Sequence, residues 1–269
     1  MLSRSLEAEL EALLDGAEYT IIGADTRRRV TPTTAEPFRH VCQIVSEVPD
    51  PQGGGGWIGW HGSGTLIAPN KVLTAAHVVY SRPGWAYARD VRVTPGRDGS
   101  GTGIHSAPFG MARALRCHVP PRYRSRTAKP GVVAANDYAV ITLDTRIGDR
   151  RPRGSAVGTP PLGYWRRIRA VPDQLLRRSR LNNAGYPLDK GGNLQYRAWN
   201  DVADLTEHRI EYVNDTTTGQ SGGPIWLRWQ GYRVLVGIHT NGVGPAGPYN
   251  TGVRLNATNL AVIKSWVRT

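Results

Sequence analysis

The sequence predicts an all-β protein that closes with a single helix. Three observations predict it. Short apolar runs rich in Val and Ile recur from residue 41 onward, each cut by turn residues. Gly 32 and Pro 19 together approach one residue in five of the 269, a density that suits many tight turns better than a helical bundle. Helical spacing of apolar residues is confined to the two ends of the chain. With 39% apolar and 20% charged residues, a buried core is feasible and wholesale disorder is excluded. No stretch approaches the ~20 apolar residues of a membrane-spanning helix. Two cysteines cannot staple a chain of this length, so stability must come from packing.

Residues 1–20 form the first segment. Leu2, Leu6, Leu10, Leu13 and Leu14 recur at helical spacing with acids between them. A basic n-region followed by an apolar h-region is missing, so this is not a secretory signal; the sequence leaves the compartment open. The strands follow: VCQIVSEV (41–48), GSGTLIA (62–68), KVLTAAHVV (71–79), DVRVT (90–94), YAVITL (138–143) and RVLVGIH (233–239). Gly53–Gly56 reads as a loop tip. Residues 144–173, rich in Arg, Pro and Gly, read as a surface connection between two halves. At the end, Leu260, Ile263 and Val267 follow Asn256 and Thr258 at helical spacing, which predicts a capped helix over 256–269.

The chain carries 34 Lys+Arg against 21 Asp+Glu, a net +13 with a pI near 10.2. Residues 1–20 hold one Arg against five acids, so 33 basic and 16 acidic residues remain beyond them. Such a charge attracts acidic partners and says nothing about fold. The arginine groups 27–29, 150–153, 166–169 and 177–180 invite a nucleic-acid reading, but no nucleic-acid module accompanies them. Only four of the basic residues are Lys, as expected of a general Arg bias. Solvated loops are the better reading. His40, His61, His105, His118 and His208 lie at spacings unlike a zinc site, and no calcium loop is visible. Neither cofactor nor metal is expected.

The chemistry lies in three segments. His77 ends an apolar run in LTAAH, Asp137 opens another in NDYAVITL, and Ser221 sits in TTGQSGGP. A serine hydroxyl becomes a nucleophile when a base lies within hydrogen-bond reach and a third group holds that base's tautomer. Gly219-Gln220-Ser221-Gly222-Gly223 also matches the elbow of α/β-hydrolases, which need an acid and then a histidine after the serine. No Asp or Glu occurs after Ser221, which removes that reading.

LTAAH, NDYAVITL and GQSGGP together resemble the chymotrypsin-like (trypsin-fold) serine peptidases. IIGADTRRRVT, AGYPLDK (184–190), GIHTNG (237–242) and YNTGVRL (249–255) are similar to the bacterial glutamyl endopeptidases, the V8-like branch. The resemblance runs from about Ile21 to the terminal helix. It implies two six-stranded antiparallel β-barrels, the first over 21–145 and the second, with its connecting segment, over 146–255, with the 256–269 helix behind them and residues 1–20 as an acidic helical extension or the propeptide of a zymogen. It implies that Ser221 attacks the scissile carbonyl, His77 shuttles the proton, Asp137 orients the imidazole, and the backbone N–H groups of Gly219 and Ser221 form the oxyanion hole.

The same resemblance places Thr216 and His239 against a substrate glutamate carboxylate. Thr240, Asn241 and Gly242 offer backbone to an extended substrate. The expected activity is therefore endopeptidase action after Glu, less often Asp, on a protein or peptide with acidic residues, by a monomer that binds neither nucleic acid nor membrane. Two alternatives stand beside it: a trypsin-fold peptidase of other specificity, acting inside the cell in regulation or defence, and a basic binding module with a vestigial triad. Two departures from the trypsin branch are visible. Gln220 replaces the aspartate that captures a freed N-terminus there, and Val78 replaces the half-cystine beside the histidine. Cys42 and Cys117 either pair or stay as buried thiols. Glu18 is a candidate self-cleavage point.

Overall fold

The computed structural model describes residues 21–50, 55–242 and 249–269. The segment 1–20, with Glu18, and Gly53 and Gly54 of the Gly53–Gly56 tip lie outside the described residues. Sixteen strands are present among those described. They are β1 (Arg28–Arg29), β2 (Val41–Pro49), β3 (Trp57–Ala68), β4 (Lys71–Thr74), β5 (Tyr80–Ser81), β6 (Ala86–Tyr87), β7 (Arg89–Pro95) and β8 (Ala112–His118). After them come β9 (Ala139–Leu143), β10 (Leu181–Gly185), β11 (Tyr196–Asn200), β12 (Val202–Leu205), β13 (Arg209–Tyr212), β14 (Pro224–Trp229), β15 (Tyr232–Asn241) and β16 (Asn250–Arg254). Three α-helices accompany them: α1 (Pro130–Ala135), α2 (Asp173–Arg177) and α3 (Ala257–Arg268).

Six strands close into an antiparallel barrel in the order β2-β3-β4-β9-β8-β7. Its inward residues Cys42, Ile44, Leu66, Val72, Val93 and Ile141 are fully buried. The second unit is an eight-stranded sheet in the order β1-β11-β10-β14-β15-β16-β13-β12, a curled half-barrel that also recruits the N-terminal β1. The fold is thus all-β and trypsin-like, with one closed six-stranded barrel, a more open partner sheet and a C-terminal helix.

One apolar cluster runs from the closed barrel through Tyr186, Trp226, Leu235 and Ile238 of the second unit to Leu260 and Ile263 of α3. A separate cluster around Leu176, Leu181, Ile210, Leu227 and Val234 fills the far side of the second sheet. The shared cluster resists sliding of one unit on the other, because each unit would expose its face of that core. Residues 144–173 do connect the two, but they bury Ile147, Leu162 and Trp165 while doing so. Helix α3 starts where its cap residues predict: Asn256 Oδ1 accepts from Asn259 N at 3.0 Å, and Asn256 N donates to Asn259 Oδ1 at 2.9 Å. Trp266 then stacks on His118 of β8, with ring centroids 5.6 Å apart. Cys42 and Cys117 are free thiols, and desolvation raises the pKa of both.

Candidate active site

His77 leaves the barrel on a short 3-10 turn, Ala76–Val78, directly after β4. The run 71–79, read as one strand, is therefore a four-residue strand and a turn. Asp137 follows α1 and precedes β9, the neighbour of β4 in the barrel. Adjacent strands so deliver the two side chains to one edge. Asp137 Oδ2 lies 2.7 Å from His77 Nδ1, and Asp137 Oδ1 accepts the His77 backbone N–H at 3.0 Å. A carboxylate at that distance accepts a hydrogen bond from Nδ1–H and holds the proton on that nitrogen, which leaves Nε2 as the basic one. Both contacts fix the ring, and the Asp137 side chain is only 6% exposed.

Ser221 comes from the other unit, on the tight turn that precedes β14. Its Oγ lies 3.3 Å from the Thr240 carbonyl, and its own carbonyl accepts Ser63 N–H of β3 at 2.7 Å. The turn is clamped elsewhere too. Gly222 donates to the His239 carbonyl at 2.7 Å, and His239 N–H donates to Gly223 at 2.9 Å. A Cβ on Gly222 would stand 2.1 Å from Ser63 O and Thr74 Oγ1, and its φ is +85°. Only glycine allows the second unit to approach the first so closely.

Gly219 adopts φ +96°, and a Cβ there would meet Tyr186 O at 2.4 Å. The Thr218 carbonyl accepts Leu188 N–H at 2.8 Å, and the Gln220 carbonyl accepts Gly223 N–H at 3.0 Å. Across trans peptides, the N–H groups of Gly219 and Ser221 point opposite to those bonds. His77, Asp137, Gly219, Ser221 and Asn241 all border one cleft of about 520 Å3 between the units.

The structure places the remaining expected residues differently. Thr216, His239 and Thr240 are each at most 1% exposed, sit behind the cleft wall and do not border the cavity. Gly242 is buried at the edge of the described segment. His239 Nδ1 is hydrogen-bonded to the Tyr212 hydroxyl. Burial, followed by the charge of His77, holds the His239 pKa down to about 3, so its imidazole is neutral at neutral pH. Thr216 Oγ1 is buried with no hydrogen-bond partner among the described residues.

Two groups escaped the sequence reading. Ser63 of β3 donates its hydroxyl to Gly219 O at 2.7 Å and accepts Tyr186 N–H at 3.0 Å, tying the Gly219 turn to the closed barrel. Asp215, beside Thr216, is 1% exposed. Its carboxylate accepts Ile22 N–H and Thr26 N–H, both at 2.8 Å, and the Thr26 hydroxyl. Arg27 is buried alongside. Its guanidinium binds Asp25 and Asp189 and reaches Thr217 Oγ1 at 2.7 Å. Residues 22–29 thus form a strap fastened to the loop before Ser221. No local sequence signal marks Ser63 or Asp215: the first stands in a glycine-rich stretch and the second in a run of polar residues.

Two units of β-structure with His, Asp and Ser meeting at a cleft between them define a serine endopeptidase of the trypsin fold. Comparison bears this out: the trypsin family profile matches residues 51–267, and the chain belongs to that family. The glutamyl endopeptidase of Bacillus licheniformis is 29% identical over 92% of this chain and 69% of its own length. A Bacillus subtilis protein named extracellular metalloprotease is 28% identical over the same shares. Among the described residues here, no group of three or more His, Cys, Asp and Glu is arranged to hold a metal ion. A solved Glu endopeptidase, in complex with MPD, superposes with a TM-score of 0.72 at 29% identity, covering 93% of this chain and all of that one.

Proposed function

We propose that the protein hydrolyses peptide bonds after Glu, and less readily after Asp, through an acyl-enzyme. Ser221 Oγ attacks the carbonyl carbon while His77 Nε2 takes its proton. The C–N bond then breaks as that proton passes to the departing amine, and water repeats the sequence on the ester. Asp137 keeps the imidazole in the Nδ1–H form and stabilises its cation. The N–H groups of Gly219 and Ser221 receive the oxyanion, where losing one donor typically costs ~3 kcal/mol in the transition state. Asn241, which borders the cleft while Thr240 and Gly242 are buried beside it, presents backbone to the substrate strand.

One observation carries the glutamate reading: the pair formed by His239 and Thr216. His239 is neutral and meets the Tyr212 hydroxyl through Nδ1, and the Thr216 hydroxyl is a buried donor without a partner in the described protein. An imidazole and a hydroxyl behind the nucleophile suit a carboxylate, whose burial is otherwise penalised. Their burial in this structure means that the wall must part as the glutamate side chain enters. The strap on Asp215 supports reading residues 1–20 as a removable propeptide, because it leads the chain to the loop that bears Thr216.

Peptides differing only at the residue before the scissile bond test this. Glu is expected to exceed Gln by tenfold or more in kcat/KM, about 1.4 kcal/mol, and His239→Ala to erase the gap. Ser221→Ala should abolish cleavage. Arg or Leu in the lead overturns the glutamate preference and leaves the peptidase intact.

A further inference from the structure

The cleft has a rim that the hydrolysis itself does not use. Arg82 borders the cavity that also holds His77 and Ser221. Its guanidinium lies over the rings of Trp85, at 5.1 Å, and Tyr123, at 5.7 Å. It also donates to the carbonyls of Tyr123 and Ser125, which ties the loop 81–85 to the turn 123–126. Arg126 stacks on the same Trp85 at 4.6 Å, and Arg124 lies 5.9 Å from the Tyr87 ring. Tyr80, Tyr87 and Tyr123 pack edge to face beneath them, with centroids 5.1 and 6.2 Å apart.

The charge of this rim is uncompensated. The sequence contains no acidic residue between Asp50 and Asp90, nor between Asp98 and Asp137. The nearby arginines that do meet carboxylates, Arg89 on Glu47 and Arg92 and Arg113 on Asp90, lie on β7 and β8. Arg82, Arg124 and Arg126 have no carboxylate within ion-pair distance among the described residues. Arg122 and Lys129, both exposed, lie on the same acid-free segment. A guanidinium stacked on an aromatic face has lost part of its rotamer freedom already and keeps its N–H edges for a planar acceptor. Arg124 and Arg126, both exposed, are therefore ordered carboxylate receptors, set beside the cleft by Arg82, whose own Nη1 is spent on the turn 123–126.

We infer that the Arg82–Arg124–Arg126 rim is a docking surface for an acidic stretch of the substrate, lying beyond the residue at the cleaved bond. The protein then favours clusters of acidic residues over isolated ones. This rests on the proposed function only in taking the cleft as the place where a peptide is bound and cut, and it holds for whichever residue is preferred at the cleaved position.

Peptides sharing one residue before the scissile bond, and carrying a block of three Glu or three Gln on either side of it, supply the test. In each protein the Gln peptide is the internal reference. For at least one placement, the Glu block is expected to raise kcat/KM by about tenfold or more at low ionic strength. The gain should lie in KM and shrink by most of its size in 0.5 M salt, where exposed charges are screened within a few Å. Arg124→Gln with Arg126→Gln should bring the ratio close to one, with thermal melting confirming the fold. Arg151→Gln with Arg178→Gln removes the same charge from exposed positions elsewhere and should leave the ratio standing. A ratio of one in the unaltered protein overturns the proposal. So does an equal fall in both double variants, which assigns the effect to net charge. Failure of the glutamate reading appears separately, in the set varied at the cleaved residue.

Discussion

At the scale of single residues, the site depends on groups that never touch substrate. Ser63 is the clearest. Fully buried, it accepts Tyr186 N–H and donates to Gly219 O, so one hydroxyl satisfies two backbone groups on a turn that must keep Gly219 at φ +96°. Ser63→Ala leaves both without that partner in a dry environment, and each orphaned group costs about 1–3 kcal/mol. Part of that cost falls on the turn itself, which can then relax toward a more ordinary backbone. The expected outcome is a loss of about 1–3 kcal/mol in denaturant unfolding, with kcat falling by more than tenfold and KM changing little. An unchanged kcat in a destabilised protein would show that the turn holds its shape without the hydroxyl, and would restrict Ser63 to stability.

At the scale of elements, strands and turns arrive from distant parts of the chain to hold one loop. The strap of residues 22–29 is the longest reach, meeting Asp215 across 193 and 189 positions. A carboxylate fits there because its partners are donors: two backbone N–H groups and a hydroxyl. Asp215→Asn keeps the shape, removes the charge and turns one donor face toward another. Hydrogen bonds to a charged group contribute ~1.5–3 kcal/mol, so amide exchange over 22–29 should accelerate by ten- to a hundredfold. The amides of β2 and β9 should keep their protection. Exchange rates that do not move would mean that the Arg27 clamp alone fastens the strap. This element also marks the limit of what the sequence made legible. The strands at 41–48, 62–68, 90–94, 138–143 and 233–239 were readable because each buries one or both faces within itself. The His77 turn was merged into the strand before it, since the apolar run KVLTAAHVV has no break in hydrophobicity where the backbone changes. His77, Asp137 and Ser221 were legible as short motifs in a telling order. Ser63 and Asp215 were not, because their partners lie more than a hundred residues away and nothing local distinguishes them from any turn serine or loop aspartate.

At the scale of the whole molecule, the histidines link folding to pH. Burial lowers the pKa of His40 to about 4 and that of His239 to about 3. It lowers those of His61 and His118 as well. These four sit at separate places: the junction of the two units, the wall behind Ser221, the cleft and the barrel face under α3. All are kept neutral in the folded state, whereas an unfolded chain takes up the proton near pH 6.5. Their stabilising contribution is therefore complete above that value. Below it the unfolded state binds more protons, and stability declines with falling pH until the folded-state values are reached. For His40 and His239 the window runs from about 6.5 down to about 4 and 3, at ~1.4 kcal/mol per pH unit for each group. Asp25 and Asp189, whose pKa values are lowered first of all by the Arg27 guanidinium, add their losses only below the ordinary carboxylate value near 3.8. The protein should thus begin to weaken between pH 6.5 and 4.5, before its carboxylates titrate. Urea unfolding across that range should show uptake of at least one proton per molecule on unfolding. His40→Gln, in which the side-chain amide can still donate to the Leu162 carbonyl that His40 Nε2 meets at 3.0 Å, should reduce the uptake by close to one. A stability profile flat from pH 7 to 4.5 would mean that the unfolded chain gains no protons there, and that these histidines are charged in the fold.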